Sequence, residues 1–272
     1  MMRPGTKRGR RGFSLLEVLV VTALIVGLMT VVFGQIQLVQ KRYKTEEAKL
    51  DITQESRAFL EQIVRDLHQA GYPNSRMYMD GVLASPVQND SRNAVGLVKF
   101  SYTELQFEGD VDGDGQVESV RYTLQADGGG NCPCTISRSQ VLKLNSTAPM
   151  SQPLNYAIAL ENVVNSGGAG GSGANGSLPL RGTSMINGAG GMTSVANDTL
   201  YAAYKPAYVF AAFDAAGDLV APTDIATNPV ALASIRTIQI TLNVLAPSSG
   251  ADIQTRQRPA SAMTATARIM NR

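Results

Sequence analysis

The chain opens with a short basic segment and then one long apolar run. Between Phe13 and Val39 the only charged side chain is that of Glu17, and the run stays strongly apolar through Phe33. As a helix, residues 13–33 would be about 31 Å long, because each residue adds about 1.5 Å. That length matches the hydrocarbon core of a bilayer, so the pattern predicts a transmembrane helix. A carboxylate in lipid costs a few kcal/mol, and we therefore expect Glu17 to meet a cation.

The next segment, residues 34–70, is amphipathic with helical spacing. Its large apolar residues recur mostly at intervals of three, four and seven positions, with charged residues between them. No proline interrupts residues 13–72, and Gly71 followed by Pro73 is a typical helix stop. We expect one continuous helix over residues 13–70. A small domain cannot bury a helix of that length, so its first half must project from the head.

Residues 71–272 change to short alternating segments that are typical of strands. A stretch rich in Gly, Ser, Ala and Asn, residues 165–191, is typical of a flexible insertion. The sequence thus predicts an α+β fold, in which the second half of a long N-terminal helix packs on an antiparallel sheet. The predicted strands are Leu97–Phe100, Glu104–Glu108, Val117–Leu124, Gln140–Leu144, Tyr208–Asp214, Ile235–Leu245 and Thr264–Arg272.

Charge is distributed unevenly along the chain. Five of the 24 Lys and Arg residues precede Phe13, and none of the 22 Asp and Glu residues does, so the rest of the chain is slightly acidic. This balance gives no reason to expect nucleic-acid binding by bulk charge. A basic segment before a transmembrane helix stays in the cytoplasm, which places the head on the opposite side. With one histidine, His68, and no phosphate-loop or nucleophile motif, the chain is not expected to be an enzyme.

One segment has the pattern of a metal-binding loop. Asp110, Asp112 and Asp114, followed by a glycine, match the first six positions of an EF-hand calcium loop, and Glu118 matches the ninth. The match ends at the twelfth position, where Arg121 replaces the bidentate Glu, and the flanks are predicted strands. One interpretation is a plain hairpin turn, because Asp-Gly pairs supply the positive φ that such turns require. The other is a Ca²⁺ site formed by the four acids, which is the only cofactor that the sequence suggests.

The two cysteines, Cys132 and Cys134, are separated by a single proline. Two cysteines do not make a disulfide framework, and a zinc site would need further Cys or His ligands. The alternatives are a disulfide, half of a metal site, and two free thiols. Export leads to an oxidising compartment, which favours a disulfide, either within the chain or to another chain.

The N-terminal segment resembles the class III signal of type IV pilins and type II secretion pseudopilins. A basic leader, residues 1–12, ends in Gly12 and is followed by Phe13, by Glu17 four residues later, and by the apolar helix. The resemblance implies cleavage between Gly12 and Phe13 by prepilin peptidase and methylation of the new Phe13 amine. It also implies that Glu17 neutralises the terminal amine of a neighbouring subunit in a filament.

The end of the long helix is similar to that of PilW-type minor pilins and, more loosely, of GspJ-type pseudopilins. The similarity lies in Arg57, Arg65-Asp66-Leu67 and Ala70-Gly71-Tyr72. It implies a type IV pilin-like fold and a minor pilin that enters a type IV pilus or primes its assembly. In such chains a short turn precedes the next strand, and residues 159–164 resemble that turn.

The resemblance also implies partners and a location. The partners are other major and minor pilins through the N-terminal helix, prepilin peptidase, and the inner membrane before assembly. The chain crosses the inner membrane once, with the leader in the cytoplasm and the head outside, and reaches the pilus or cell surface after assembly. Three alternative functions stay open: a type II secretion pseudopilin of the tip complex, an adhesive tip subunit that binds a ligand or DNA, and a membrane-anchored enzyme.

Overall fold

The computed structural model describes residues 14–125, 134–165, 185–186, 192–193, 208–247 and 258–270. Gly12, Phe13 and Cys132 lie outside the described residues, as does most of the predicted insertion 165–191. The predictions made for those residues stay predictions.

A single helix, α1, runs from Leu15 to Gln69, as the apolar and amphipathic segments together predict. Its 55 residues give a length of about 82 Å. The helix ends where the sequence indicates: Gly71 has a φ of 81°, a conformation that glycine adopts without a steric penalty. Only the second half of α1 packs on the head. Its buried residues are Ile52, Ser56, Phe59, Leu60, Ile63, Asp66 and Leu67.

Twelve strands and a second α-helix, which is short, follow in the described part of the chain. The helix, α2, spans Pro229–Ser234. Its N-cap is Asn228, whose side chain accepts a hydrogen bond from the Ala231 N–H. The strands are β1 Leu97–Phe100, β2 Glu104–Gly109, β3 Glu118–Gln125, β4 Cys134–Leu142, β5 Tyr156–Val163, β6 Met185–Ile186, β7 Met192–Thr193, β8 Phe210–Phe213, β9 Leu219–Val220, β10 Thr223–Asp224, β11 Thr237–Leu245 and β12 Ala260–Arg268.

Ten of these strands form one sheet whose pairings are antiparallel, in the order β10-β1-β2-β3-β4-β5-β11-β8-β9, with β12 also paired to β11. Strand β12 pairs with β11 along its full length, from Thr237 opposite Arg268 to Leu245 opposite Ala260. Strand β8 pairs with the first part of β11, whereas β5 meets only its end. The large antiparallel sheet beneath one long helix confirms the α+β prediction.

The core lies between the second half of α1 and this sheet. Tyr122 of β3 is at its centre, fully buried, with the ring of Phe59 from α1 at 5.8 Å edge-on and the ring of Phe107 at 6.5 Å. Edge-to-face aromatic pairs at such distances add about 0.5–1.5 kcal/mol beyond the area that they bury. The amphipathic spacing of α1 therefore marks the face that meets the middle of the sheet.

Three strands, β4, β5 and β12, differ from the prediction by more than two residues. Strand β4 begins at Cys134, well before Gln140, because Cys134, Ile136 and Ser139 are buried and the whole segment pairs with β3. Strand β5 occupies most of residues 159–164, where a turn was expected, since Leu160 and Val163 are buried in the sheet. Strand β12 starts and ends earlier than predicted. The backbone still turns sharply at Asn162, where φ is 57°.

The first residue of the predicted insertion, Asn165, belongs to the folded head. It is fully buried, its side-chain amide donates to the Thr241 carbonyl at 2.7 Å, and its side-chain oxygen accepts from the Asn243 N–H at 2.8 Å. The insertion therefore begins after Asn165. Farther along, β6 and β7 pair with each other as a separate two-stranded sheet.

The end of α1 is joined to the β2–β3 hairpin by backbone hydrogen bonds. The Gly71 N–H donates to the Glu108 carbonyl at 2.8 Å, and the Asp110 N–H donates to the Tyr72 carbonyl at 2.8 Å. The segment just after the helix is thus paired with the end of β2. The loop that begins at Asp110 is held directly beside the helix end.

Gly109 lies at the closest approach of the hairpin to the helix. It forms an isolated β-bridge with Ala70. A Cβ added at Gly109 would overlap the carbonyl oxygen of Gln69 and lie 2.9 Å from its carbonyl carbon. Only a glycine leaves room for the helix end at this position.

Candidate functional site

The first half of α1 is an apolar surface that the head does not cover. Residues 14–37 are exposed throughout, with exposed fractions of 83% at Leu15 and 68% at Leu28. A contiguous apolar surface of this kind marks a membrane or protein contact. The helix is long and apolar enough to cross a membrane, and a signal sequence near the N-terminus would have the same properties.

Glu17 lies in the first turn of α1 and is exposed. No ion pair within the described residues includes it. Its predicted partner is the amine of a cleaved Phe13 in another subunit, and Phe13 lies outside the described residues. The assembly role of Glu17 is therefore a proposal that rests on its position in the apolar surface.

A buried polar cluster of Asp66, Tyr122 and Arg138 fastens α1 to the sheet. The Tyr122 hydroxyl donates to Asp66 Oδ2 at 2.7 Å. Two nitrogens of Arg138, Nε and Nη2, donate to the same oxygen at 3.0 and 2.7 Å. Burial, followed by the negative charge of Asp66, holds the pKa of Tyr122 well above its ordinary value. Sequence reasoning missed this cluster, because Asp66 and Arg138 are 72 positions apart and neither segment indicates the other.

The acidic loop between β2 and β3 wraps around Asp110. That side chain is only 6% exposed. Its carboxylate accepts hydrogen bonds from the Gly113 N–H at 2.7 Å and from the Gly115 N–H at 3.0 Å. Both glycines have positive φ, 80° and 87°, which only glycine adopts readily. The Asp-Gly pattern thus produces the tight turn that the sequence indicates.

Three of the four predicted metal-binding residues converge in this loop. Asp110, Asp112 and Glu118 each place one carboxylate oxygen within 4.8 Å of the others. Asp114 is not part of this group. Its carboxylate instead accepts from the backbone N–H of Gln116 at 2.8 Å and from the side-chain amide of Gln116 at 2.9 Å.

Glu118 stands at the first position of β3 and is 2% exposed. Its Oε2 accepts from the Val111 N–H at 3.0 Å, whereas its Oε1 is buried and has no hydrogen-bond partner among the described residues. Burial is the main cause that raises the pKa of Glu118 to about 7; the bond from Val111 opposes the shift, and the charges of the neighbouring Asp112, Asp114 and Asp110 add to it.

The buried acids of the described part of the chain fall into two groups. Three have a cation at 2.7, 2.8 and 2.7 Å: Asp66 with Arg138, Asp90 with Arg92, and Glu108 with Lys143. The other two, Asp110 and Glu118, are equally buried but belong to no ion pair within the described residues. Both of them lie in the acidic loop.

Cys134, at the start of β4, is 1% exposed and disulfide-bonded. The other cysteine of the chain, Cys132, lies outside the described residues. A bonded sulfur at Cys134 does not favour the alternatives of a free thiol or a metal ligand at that residue.

No protein-family model matches the chain, and comparisons with curated proteins and with solved structures give no match. The sequence and the geometry of α1 and the head are therefore what indicates a function for this chain.

Proposed function

We propose that this chain is a pilin-like subunit of the PilW minor-pilin type, which enters a type IV pilus or primes its assembly. The observation that supports this function best is the form of α1. One uninterrupted helix carries an exposed apolar half with a single charge, Glu17, and a second half docked on a folded head. The proposed role is structural and requires no reaction at the head.

The exposed apolar half of α1 must be shielded from water in every state of the protein. Lipid covers it in the membrane, and the apolar helices of neighbouring subunits cover it once the chain leaves the membrane. Removal of apolar surface from water contributes about 25 cal/mol for each Å², and this favours either state over exposure to water. A helix that moves from lipid to a helix bundle keeps its backbone hydrogen bonds, because they all lie within the segment.

Glu17 has a defined task in this proposal. A carboxylate buried in an apolar bundle is stable only when it is paired. Cleavage after Gly12 creates a new amine at Phe13. In a filament, this amine can pair with Glu17 of a neighbouring subunit only when the two helices have one particular axial offset. The amine of one chain and Glu17 of the next therefore set the axial position of the helices.

The first experiment tests processing in the native host, with the full chain. Intact-protein mass spectrometry of the membrane fraction should find a chain that begins at Phe13 and carries one added methyl group. Gly12→Val should retain the leader, because the peptidase requires a small residue there, whereas the control Gly9→Val in the same leader should be cleaved. A wild-type chain that keeps residues 1–12, or one cut after Phe33, would contradict the proposal.

The second experiment separates a pilus subunit from a secretion pseudopilin. Both classes share the signal and the helix, but only a pilus subunit is expected in sheared surface filaments at a small fraction of the major subunit. Deletion of the gene should then reduce surface filaments and leave type II secretion intact. The opposite result would assign the chain to the secretion apparatus.

A further inference from the structure

We propose that the β2–β3 loop binds a calcium ion through the carboxylates of Asp110, Asp112 and Glu118. This site is independent of the filament role, because it lies in the head and involves none of the exposed half of α1. It also differs from the ligand set that the sequence pattern indicates, since Asp114 is directed to Gln116.

The first observation is the convergence of three carboxylates. One oxygen of each lies within 4.8 Å of the others. Oxygens that bind one Ca²⁺ at 2.3–2.6 Å are at most about 5 Å apart, so the three fit a shared ion. Without a cation, like charges at this distance repel one another, and the repulsion is stronger in a partly buried site than in water.

The second observation is the buried, unpartnered Oε1 of Glu118. A buried acceptor with no partner destabilises the folded state, and it does so more strongly when it is charged. Glu108, on the other strand of the same hairpin, is also fully buried, and its Oε1 likewise has no hydrogen-bond partner among the described residues. Its charge, however, is balanced on Oε2 by the ammonium of Lys143 at 2.7 Å. No such protein cation reaches Glu118 or Asp110 within the described residues.

The ligand chemistry favours calcium over other ions. All three ligands are carboxylate oxygens, which hard cations prefer to the nitrogen and sulfur ligands typical of zinc. Asp112 is exposed, so water can complete the shell on that side. Calcium accepts six to eight oxygens in flexible geometry, whereas magnesium demands a near-ideal octahedron. A loop that supplies three carboxylates and an open side suits calcium better.

Binding at this loop would act on the junction between helix and head. Asp110 is itself bonded through its backbone to Tyr72, just beyond the end of α1. An ion that holds Asp110 and Glu118 together closes the base of the loop, next to the pair of Gly109 and Glu118. The expected effect is a more stable attachment of the helix end.

The test uses the full chain in detergent. Equilibrium dialysis with radioactive calcium should reveal one saturable site. At a tenfold excess of calcium over the measured Kd, the melting temperature should rise by about 3–6 °C relative to EDTA. Magnesium at the same concentration should give a smaller rise. A wild-type chain with no saturable calcium binding would overturn the proposal.

Variants separate a metal site from a purely structural carboxylate. Glu118→Gln keeps an acceptor for the Val111 N–H and should lose both calcium binding and the calcium-dependent shift. Asp112→Asn lies at an exposed position, so folding is not at risk, and it should weaken binding roughly tenfold or more, because affinity follows the charge of the ligands. The matched control in the same loop, Asp114→Asn, removes a nearby charge but no proposed ligand, so it should weaken binding much less than Asp112→Asn does.

A protonated Glu118 would relieve the repulsion without a metal, and Glu118→Gln imitates that state. If Glu118→Gln raises stability in EDTA and the wild type shows no response to calcium, the loop is a plain turn. An unchanged calcium response in Glu118→Gln and Asp112→Asn would also overturn the proposed ligand set.

Discussion

Tyr122 of β3 donates a 2.7 Å hydrogen bond to Asp66 of α1, across the interface between the helix and the sheet. Arg138 of β4 donates to the same Asp66 oxygen, so that one carboxylate joins three elements. These bonds add directional contacts to the apolar packing, and we infer that they help to fix the position of α1 on the sheet.

Replacement of Asp66 by Asn should destabilise the head by about 2–4 kcal/mol. The amide keeps the shape of the side chain but removes the charge that balances Arg138, and a buried ion left without its partner is costly. This predicted loss is somewhat smaller than the usual loss for a fully buried ion pair, because the Arg138 side chain keeps some contact with water. Thermal melting of the full chain measures the effect, with Glu61→Gln on the exposed face of α1 as the control. Equal melting temperatures for the two variants would contradict this role of the cluster.

Stability should fall at alkaline pH partly through Tyr122. Its folded-state pKa is raised by burial and by Asp66. The contribution of protonated Tyr122 to the free energy of unfolding is therefore complete below the unfolded-state pKa of about 10, and it is lost as the pH rises above that value. Between about pH 9 and about pH 11, the melting temperature of Tyr122→Phe should fall less steeply than that of the wild type. Burial also raises the pKa of Tyr102 and Tyr208, so part of the slope should remain in the variant.

The comparison for Tyr122 concerns slopes, because Tyr122→Phe also loses its hydrogen bond to Asp66 and starts from a lower stability at neutral pH. Identical slopes in the two proteins would show that Tyr122 ionises freely in the folded state.

Gly109→Ala should destabilise the junction between α1 and the hairpin by about 1–3 kcal/mol, the usual cost of overpacking. The new Cβ overlaps backbone atoms of Gln69, which can move only if the helix end leaves the strand. Hydrogen exchange followed by mass spectrometry should show faster exchange at the Gly71 and Asp110 amides. Gly113→Ala is the control, since it has open space around its Cβ and only a local φ penalty. Faster exchange at those amides in both variants would contradict a specific steric effect.

Glu17→Leu should impair assembly and leave folding intact. The variant removes a charge from the apolar helix, so insertion into the membrane should be as good as in the wild type or better. The head should melt at the wild-type temperature, because Glu17 does not touch it. Loss of one partner from a buried ion pair costs about 3 kcal/mol, so incorporation into filaments should drop on the order of 100-fold. Quantitative immunoblots of sheared filaments measure it.

The control for Glu17→Leu is Glu46→Leu, which removes an exposed acid of the same helix beyond the apolar half. Assembly of Glu17→Leu at the wild-type level would exclude the proposed pairing with a neighbouring amine.

Local patterns predicted the parts of the fold that have local causes. The limits of α1 follow from the apolar run and from Gly71, and the β2–β3 hairpin follows from alternation around an Asp-Gly turn. Strand β5 escaped prediction because Glu161 and Asn162 are poor strand formers in isolation. Its place in the sheet depends on pairing with β4, whose first half was itself not predicted as a strand.

In the candidate metal loop, too, the sequence pattern alone did not predict which residues come together. The EF-hand spacing indicates four acids, but in a hairpin the strand register decides which of them face one another. Gly109 pairs with Glu118 across the hairpin, and this register brings Glu118 to Asp110. Asp114 stands at the tip, where Gln116 binds it. A spacing rule taken from a helix–loop–helix site cannot supply that difference.

Because α1 is one continuous helix, a force applied to its exposed half is transmitted to the head through the helix itself. A pull on the exposed half of α1 enters the head through the buried residues from Ile52 to Leu67, through the pair of Asp66 with Arg138, and through the backbone bonds of Gly71 and Asp110. The docked half of α1 contacts β12, β11, β5 and β2, so the force is shared among several strands of the sheet. Tension on the proposed filament would therefore be resisted along the interface between the second half of α1 and the sheet, while the surface of the head that faces away from the helix stays available for contacts.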